Sequence, residues 1–175
     1  MDIKEILKKP LDGTYSVSAQ VVLFSSDHKA VCLVLENGGW KKKFLFSFKK
    51  ERAWGNPGGG VHRGEIPLEG AIRELVQETG FPKRVFEIDP NPVDYKIEGT
   101  NKNTHYKFVF VGKIICKPED FPFEINPAGD TIKRAFVLIS DLPSPKASKF
   151  WKLDDYGIFS SHFQYILANQ RPALT

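Results

Sequence analysis

Cysteine is scarce: only Cys32 and Cys116 occur among 175 residues. A disulfide framework or a cysteine-ligated metal centre needs more than two. Each sits inside an apolar run, so both are expected to be buried free thiols, and a reducing compartment, most simply the cytoplasm, follows. No stretch approaches ~18 consecutive apolar residues, which argues against a membrane-spanning helix. The opening MDIKEILKKP mixes acids and lysines with Ile3, Ile6 and Leu7 and lacks the apolar core of a secretion signal. Net charge is only +4 and no long basic stripe is present, so nucleic acid is not an expected partner on this ground. Repeats, low-complexity tracts and dividing linkers are absent as well. One domain over residues 1–175 is expected, long enough to bury a core.

What is there alternates between strand and helix signals. YSVSAQVVLF (15–24), AVCLVLE (30–36), FLFSF (44–48), HYKFVFVGKII (105–115) and RAFVLI (134–139) read as strands, with shorter ones at 85–88 and 93–98. Residues 67–79 have helical periodicity. The segment DYGIFSSHFQYILANQ places Phe159, Phe163, Ile166 and Leu167 at helical spacing and predicts an amphipathic helix. Interspersed elements of both kinds imply a mixed α/β (α+β) domain with helices packed on a sheet.

The densest information lies in NPGGGVHRGEIPLEGAIRELVQETGF, residues 56–81. On a helix over 67–79, Leu68, Ala71, Ile72, Leu75 and Val76 share one side, and Glu74, Gln77 and Glu78 the other. Pro67 suits the first turn, and Gly80 a left-handed end. Glu69 and Arg73, four apart, are expected to pair. Glu74 and Glu78 are also four apart, and like charges at that spacing repel, so local stability does not explain them. Two readings stay open: a solvated acidic face, or a hard divalent cation shared between the carboxylates, since Mg²⁺ takes carboxylate oxygens and leaves positions for water and phosphate. Gly58, Gly59 and Gly60 permit close backbone approach. They are not a P-loop, because no Gly-Lys-Ser/Thr follows.

This run resembles the Nudix box, G-x5-E-x7-R-E-U-x-E-E-x-G-U, with U a bulky apolar residue. Gly59, Glu65, Arg73, Glu74, Leu75, Glu78, Gly80 and Phe81 match, and Gln77 replaces a glutamate: eight of nine specified positions. The six single-residue matches coincide by chance at about 10⁻⁷ per starting point, at roughly 6% usage each. WGNPGG (54–59) is similar to the lead-in common in that family. The resemblance implies the Nudix fold, an α/β/α sandwich around a mixed β-sheet. It also implies hydrolysis of a nucleoside diphosphate linked to another moiety, with Mg²⁺ or Mn²⁺. Carried over by position, Glu74 and Glu78 are the principal metal carboxylates and Gly58 lends a carbonyl oxygen. Glu65 and Arg73 orient the helix, and Gln77 stands at a further ligand position that it cannot fill with charge. The family also uses an acid outside the box; Asp130 is the first candidate, then Glu124 and Glu119.

For the substrate, Lys49, Lys50 and Arg52 are candidates to steady a phosphate, and Gly59 to approach it closely. Trp54, Tyr106, Phe46 and Phe48 are candidates to stack on a base. The lysines at 41–43 and 49–50 precede the glycines and would draw an anion. His62 is expected to be an exposed loop residue, and His105, which begins a strand, to be structural, with a place facing the cleft as its alternative. The resemblance therefore implies a nucleotide or another pyrophosphate-containing small molecule as partner, with an RNA 5′ end as the one nucleic-acid variant, bound by a monomer or homodimer. An alternative follows from Gln77: a nucleotide-binding or regulatory module with weak or no catalysis.

Overall fold

The computed structural model describes residues 2–36, 40–43, 46–49, 53–99, 104–122 and 131–142, with the backbone alone at 36, 40–43, 46–49 and 53. The predicted helix over 155–170 lies outside the described residues, as do Lys50, Arg52, Glu124 and Asp130. In chain order the elements are α1 (Ile3–Lys8), β1 (Ser16–Phe24), β2 (Ala30–Glu36), β3 (Trp40–Lys43), β4 (Phe46–Lys49), β5 (Ala53–Gly55) and β6 (Gly58–Gly60). Then follow α2 (Pro67–Thr79), β7 (Phe86–Ile88), β8 (Asp94–Glu98), β9 (His105–Ile114) and β10 (Thr131–Leu138).

The main sheet is mixed. Its order is β10-β2-β1-β9-β7, with β8 beside β9. β1 and β9 run parallel in unbroken register from Ser16↔His105 to Phe24↔Lys113. Parallel strands in the middle of a sheet are covered on both faces, and VVLF in β1 and FVFV in β9 are correspondingly continuous apolar runs. Alternation then divides the core. Val17, Ala19, Val21 and Leu23 of β1 join the larger cluster, with Leu75 of α2 and Ile6 of α1. Val22 and Phe24 join the smaller cluster on the opposite face, with Leu33 and Val109. Both described helices therefore lie on one side of the sheet.

A 13-residue helix is marginal in isolation, so α2 depends on this packing. Its bounds match the expectation, and it ends at Gly80 in the left-handed conformation, φ 71°. Arg134 of β10 fastens that end: Nη1 donates to Thr79 O, Nη2 donates to Phe121 O, and the guanidinium lies 3.8 Å from the Phe81 ring centroid.

Several readings are corrected. MDIKEILKK contains a helix, α1, capped by Asp2, whose side chain accepts from Lys4 N at 3.0 Å. Lysines 41–43 lie on a strand paired with β4 in a separate two-stranded sheet, where one strand at 44–48 was expected. β10 starts three residues before the predicted 134 because Thr131 already pairs with Glu36 ahead of a register shift. Cys32 is buried and free, but Cys116 is free and only half-buried.

β5 and β6 position the site. β1 and β2 pair only at Leu23↔Cys32 and Phe24↔Val31. Beyond that point β2 takes β5 (Val34↔Gly55 to Glu36↔Ala53) and β1 takes β6 (Ser18↔Gly60 to Gln20↔Gly58). The other edges of β1 and β2 are occupied by β9 and β10, so β5 and β6 form a wedge that splits the sheet.

Candidate active site

The acidic helix faces the bare backbone of β6. A Cβ built on Gly59 would stand 2.6 Å from the Glu74 carboxyl carbon, so only glycine allows this approach. The Gly58 N–H donates to Glu78 Oε2 at 2.8 Å. The two carboxylates, one helical turn apart, are thereby held against adjacent residues of one strand.

Arg73 ties the arrangement together. Its Nε and Nη2 donate to Glu65 Oε1 and Oε2 at 2.8 and 3.1 Å, a two-pronged pair. Nη1 donates to Glu74 Oε1 at 2.7 Å and to Gln77 Oε1 at 3.2 Å, and Nη2 also reaches Gly60 O at 2.7 Å. The hydrogen bonds from Arg73 hold the Glu65 carboxyl below its ordinary range, and those to Glu65 and Glu74 raise the Arg73 value. Glu65 Oε2 further accepts from His62 N at 2.8 Å, which closes the loop before α2. The N-terminal segment braces the same loop: Leu11 N donates to Glu65 O and Gly64 N to Leu11 O, each at 2.9 Å.

Glu69 does not pair with Arg73 as the spacing suggested. Its Oε2 accepts from Ile66 N at 3.0 Å and caps the start of the helix, which frees Arg73 for Glu65 and Glu74. Gln77 is exposed, and its oxygen is taken up by Arg73. A neutral acceptor there serves the guanidinium without adding a third like charge beside Glu74 and Glu78.

Tyr106 leaves the set of base-stacking candidates: it is 8% exposed and packs edge-on against Tyr15, ring centroids 5.3 Å apart, on the helix side of the sheet. Trp54 is half-buried on the opposite face, with Lys133 Nζ 6.0 Å from its ring centroid. The side chains of Phe46, Phe48 and Lys49 lie outside the described residues, as do Lys50, Arg52, Glu124 and Asp130. Glu119 is exposed in a 3₁₀ turn at 118–120. His62 is exposed in the loop. Sequence reasoning missed the Leu11 brace, which no local signal announces, and the surroundings of His105, whose partners are 87 and 89 residues away.

Among the described residues no three His, Cys, Asp or Glu side chains gather into a metal-sized group. Two carboxylates beside exposed peptide groups nevertheless fit Mg²⁺ or Mn²⁺. Mg²⁺ is usually held by one or two carboxylates and completed by water and substrate phosphate, not by an all-protein cage.

The chain matches the NUDIX domain over residues 14–155, and it belongs to that family. Over 107 residues it is 29% identical to the m7GpppN-mRNA hydrolase dcap-2 of Caenorhabditis elegans, which is 58% of this chain and 12% of that protein. Over 39 residues it is 49% identical to an RNA pyrophosphohydrolase of Zymomonas mobilis, 22% of this chain and 25% of that protein. The matches thus span a quarter or less of these curated relatives' own lengths. Among solved structures, a NUDIX hydrolase from Nitrosomonas europaea superposes with a TM-score of 0.56 at 19% identity, covering 84% of this chain and 88% of that one. An Ap4A hydrolase from C. elegans gives 0.54 at 15% identity, covering 85% and 98%. At those identities the likeness is one of fold.

Proposed function

We propose that the chain is a divalent-metal-dependent pyrophosphohydrolase that cleaves a phosphoric anhydride bond in a nucleoside diphosphate linked to another moiety. The observation that carries this reading is the convergence of Glu74 and Glu78 on adjacent glycines of β6, at 2.6 Å from the Gly59 Cβ position and 2.8 Å from Gly58 N. Family membership supports hydrolysis. The printed names of the relatives, an mRNA-cap hydrolase and an RNA pyrophosphohydrolase, bring RNA 5′ ends into the substrate range to be tested. Two free cysteines fit a reducing compartment, and we place the protein in the cytoplasm on that ground.

Glu74 and Glu78 would hold Mg²⁺ or Mn²⁺, with a carbonyl oxygen from Gly58. When bound, such an ion neutralises phosphate oxygens and makes its water more acidic. Arg73 fixes Glu74 in place and, through Glu65, anchors the helix to the preceding loop. The Gly58 N–H donates to Glu78 Oε2 and holds that carboxylate beside the strand. Asp130 remains the first candidate to accept the proton from water, and Lys50 and Arg52 to steady the outer phosphate. Gln77 favours a second reading, a nucleotide-binding module with weak catalysis, because its amide cannot carry charge.

Phosphate release tests both. The substrates are ADP-ribose, a dinucleoside polyphosphate, an oxidised nucleotide, coenzyme A, and 5′-triphosphorylated and capped RNA oligonucleotides, with Mg²⁺ and then Mn²⁺. Turnover of at least one, falling a hundredfold or more in Glu78→Gln, is the expected result. Nucleotide binding without turnover under both metals would establish the module instead.

A further inference from the structure

The face of β1 that turns away from α2 carries its own polar group. Ser16 and Ser18 alternate with Val17 and Ala19 and so project from the sheet face opposite the acidic helix. Across the parallel ladder Ser16 pairs with His105 and Ser18 with Lys107. The His105 ring lies between the serines: Nδ1 is 2.7 Å from Ser16 Oγ and Nε2 is 2.9 Å from Ser18 Oγ. Beside it, Glu98 of β8 accepts from Lys96 at 2.7 Å and from Lys107 at 3.3 Å.

Partial burial and the nearby Lys107 push the His105 value below its ordinary 6.5, with Glu98 opposing them. The ring is therefore neutral near pH 7, and one nitrogen donates while the other accepts. One serine donates its O–H to the unprotonated ring nitrogen. The other accepts from the ring and keeps its own O–H, so the chain of three groups retains a spare donor next to serine lone pairs.

That donor borders an opening. Gly60 pairs with Ser18, and no heavy atom lies within 4 Å of a Cβ built on Gly60. At this level β6 pairs with β1, and the split lies beyond it, between β6 and β5. Gly58, whose N–H holds Glu78, pairs with Gln20. Gln20 is two residues, about 7 Å, along β1 from Ser18. At the tip of the wedge Asn56 Oδ1 is buried without a hydrogen-bond partner.

We propose that Ser16, Ser18 and His105 are specificity-determining residues that hydrogen-bond an uncharged edge of the substrate's nucleoside while its diphosphate lies at Glu74 and Glu78. This deepens the pyrophosphohydrolase reading and rests on it. The groups offered beside Gly60 are hydroxyls and a ring nitrogen, while Lys96 and Lys107 are both engaged by Glu98, and such groups suit an uncharged edge. A serine–histidine chain with one donor and free lone pairs matches a base edge or a ribose hydroxyl.

Calorimetric titration with Mg²⁺ tests this, using ADP, GDP, CDP, UDP and inorganic pyrophosphate as probes. In Ser18→Ala and His105→Asn, the preferred nucleoside diphosphate is expected to bind about tenfold more weakly, while pyrophosphate stays within twofold. Loss confined to one or two bases assigns a base edge, and equal loss across all four assigns the ribose. Two variants guard against a folding defect, and each is scored only if its melting temperature matches the wild type. Equal weakening of nucleotide and pyrophosphate, or no weakening, overturns the proposal. A wild type that holds pyrophosphate but binds no nucleoside diphosphate more tightly overturns it while sparing the metal site. A wild type that binds none of the probes overturns the pyrophosphohydrolase reading itself.

Discussion

On the α2 side of the wedge, Glu65, Arg73, Glu74, Gln77 and Glu78 come from one run of fourteen residues, 65–78. On the far side, Ser16, Ser18, Glu98, His105 and Lys107 are drawn from three separate strands. The first group is held locally: a spacing of four brings Gln77 to Arg73, the adjacent Glu74 carboxylate reaches the same guanidinium, and Glu65 meets it from the loop eight residues earlier. The second exists only because β1 and β9 are parallel neighbours in one register. The two sides therefore have different vulnerabilities. The acidic side fails when a local distance changes, and the serine–histidine side fails when a partner is lost without disturbing the backbone.

The contrast breaks most sharply at Gly59. In Gly59→Ala the new methyl meets the end of the Glu74 side chain, which can move, so stability is expected to change by no more than about 1 kcal/mol. Turnover should fall at least a hundredfold because the carboxylate is what moves. Denaturant melts alongside initial rates check both. Gly58→Ala differs, since its Cβ would lie 2.5 Å from Ala19 O and the Gln20 Cα. Backbone cannot yield so readily, and this variant should melt well below the wild type.

A smaller effect is expected at Glu65. Arg73 lowers the Glu65 value below 4.5 in the folded protein, so its contribution to stability is complete above that pH and is lost as pH falls through the depressed value. Melting temperatures from pH 6 to pH 3 should drop more steeply for wild type than for Glu65→Gln. Parallel curves would mean that the pair does not stabilise the fold. The smallest change is expected at Gln77→Glu: Arg73 keeps its acceptor, and kcat/KM should stay within about threefold. A tenfold rise with tighter Mg²⁺ dependence would instead show that the amide limits a metal site.

What could be read from the chain follows the same division. The bounds of α2, its apolar side and the left-handed Gly80 were legible because helical period and capping act over a few residues. The parallel strands were legible as apolar runs, but their adjacency was not. His105 and Tyr106 are neighbours in sequence, and nothing local says that Tyr106 enters the core while His105 joins two serines. The Glu69–Arg73 pair was misjudged because spacing permits it, yet Glu65 offers Arg73 two oxygens and the N-terminus of α2 needs Glu69. The α1 helix was missed because six residues are too few to display a period.

The parallel partnership of β1 and β9 also has a price in time. β1 is a central strand, and its VVLF run is made 89 residues before the matching stretch of β9. At 5–20 residues per second, a ribosome needs roughly 5–20 s to supply that partner. During that interval an apolar segment suited to pairing lacks its partner on one edge, while β2 and β6 follow soon for the other. Contacts this distant in sequence also slow folding after release. Until β9 arrives, that edge of β1 is open to pairing with another chain.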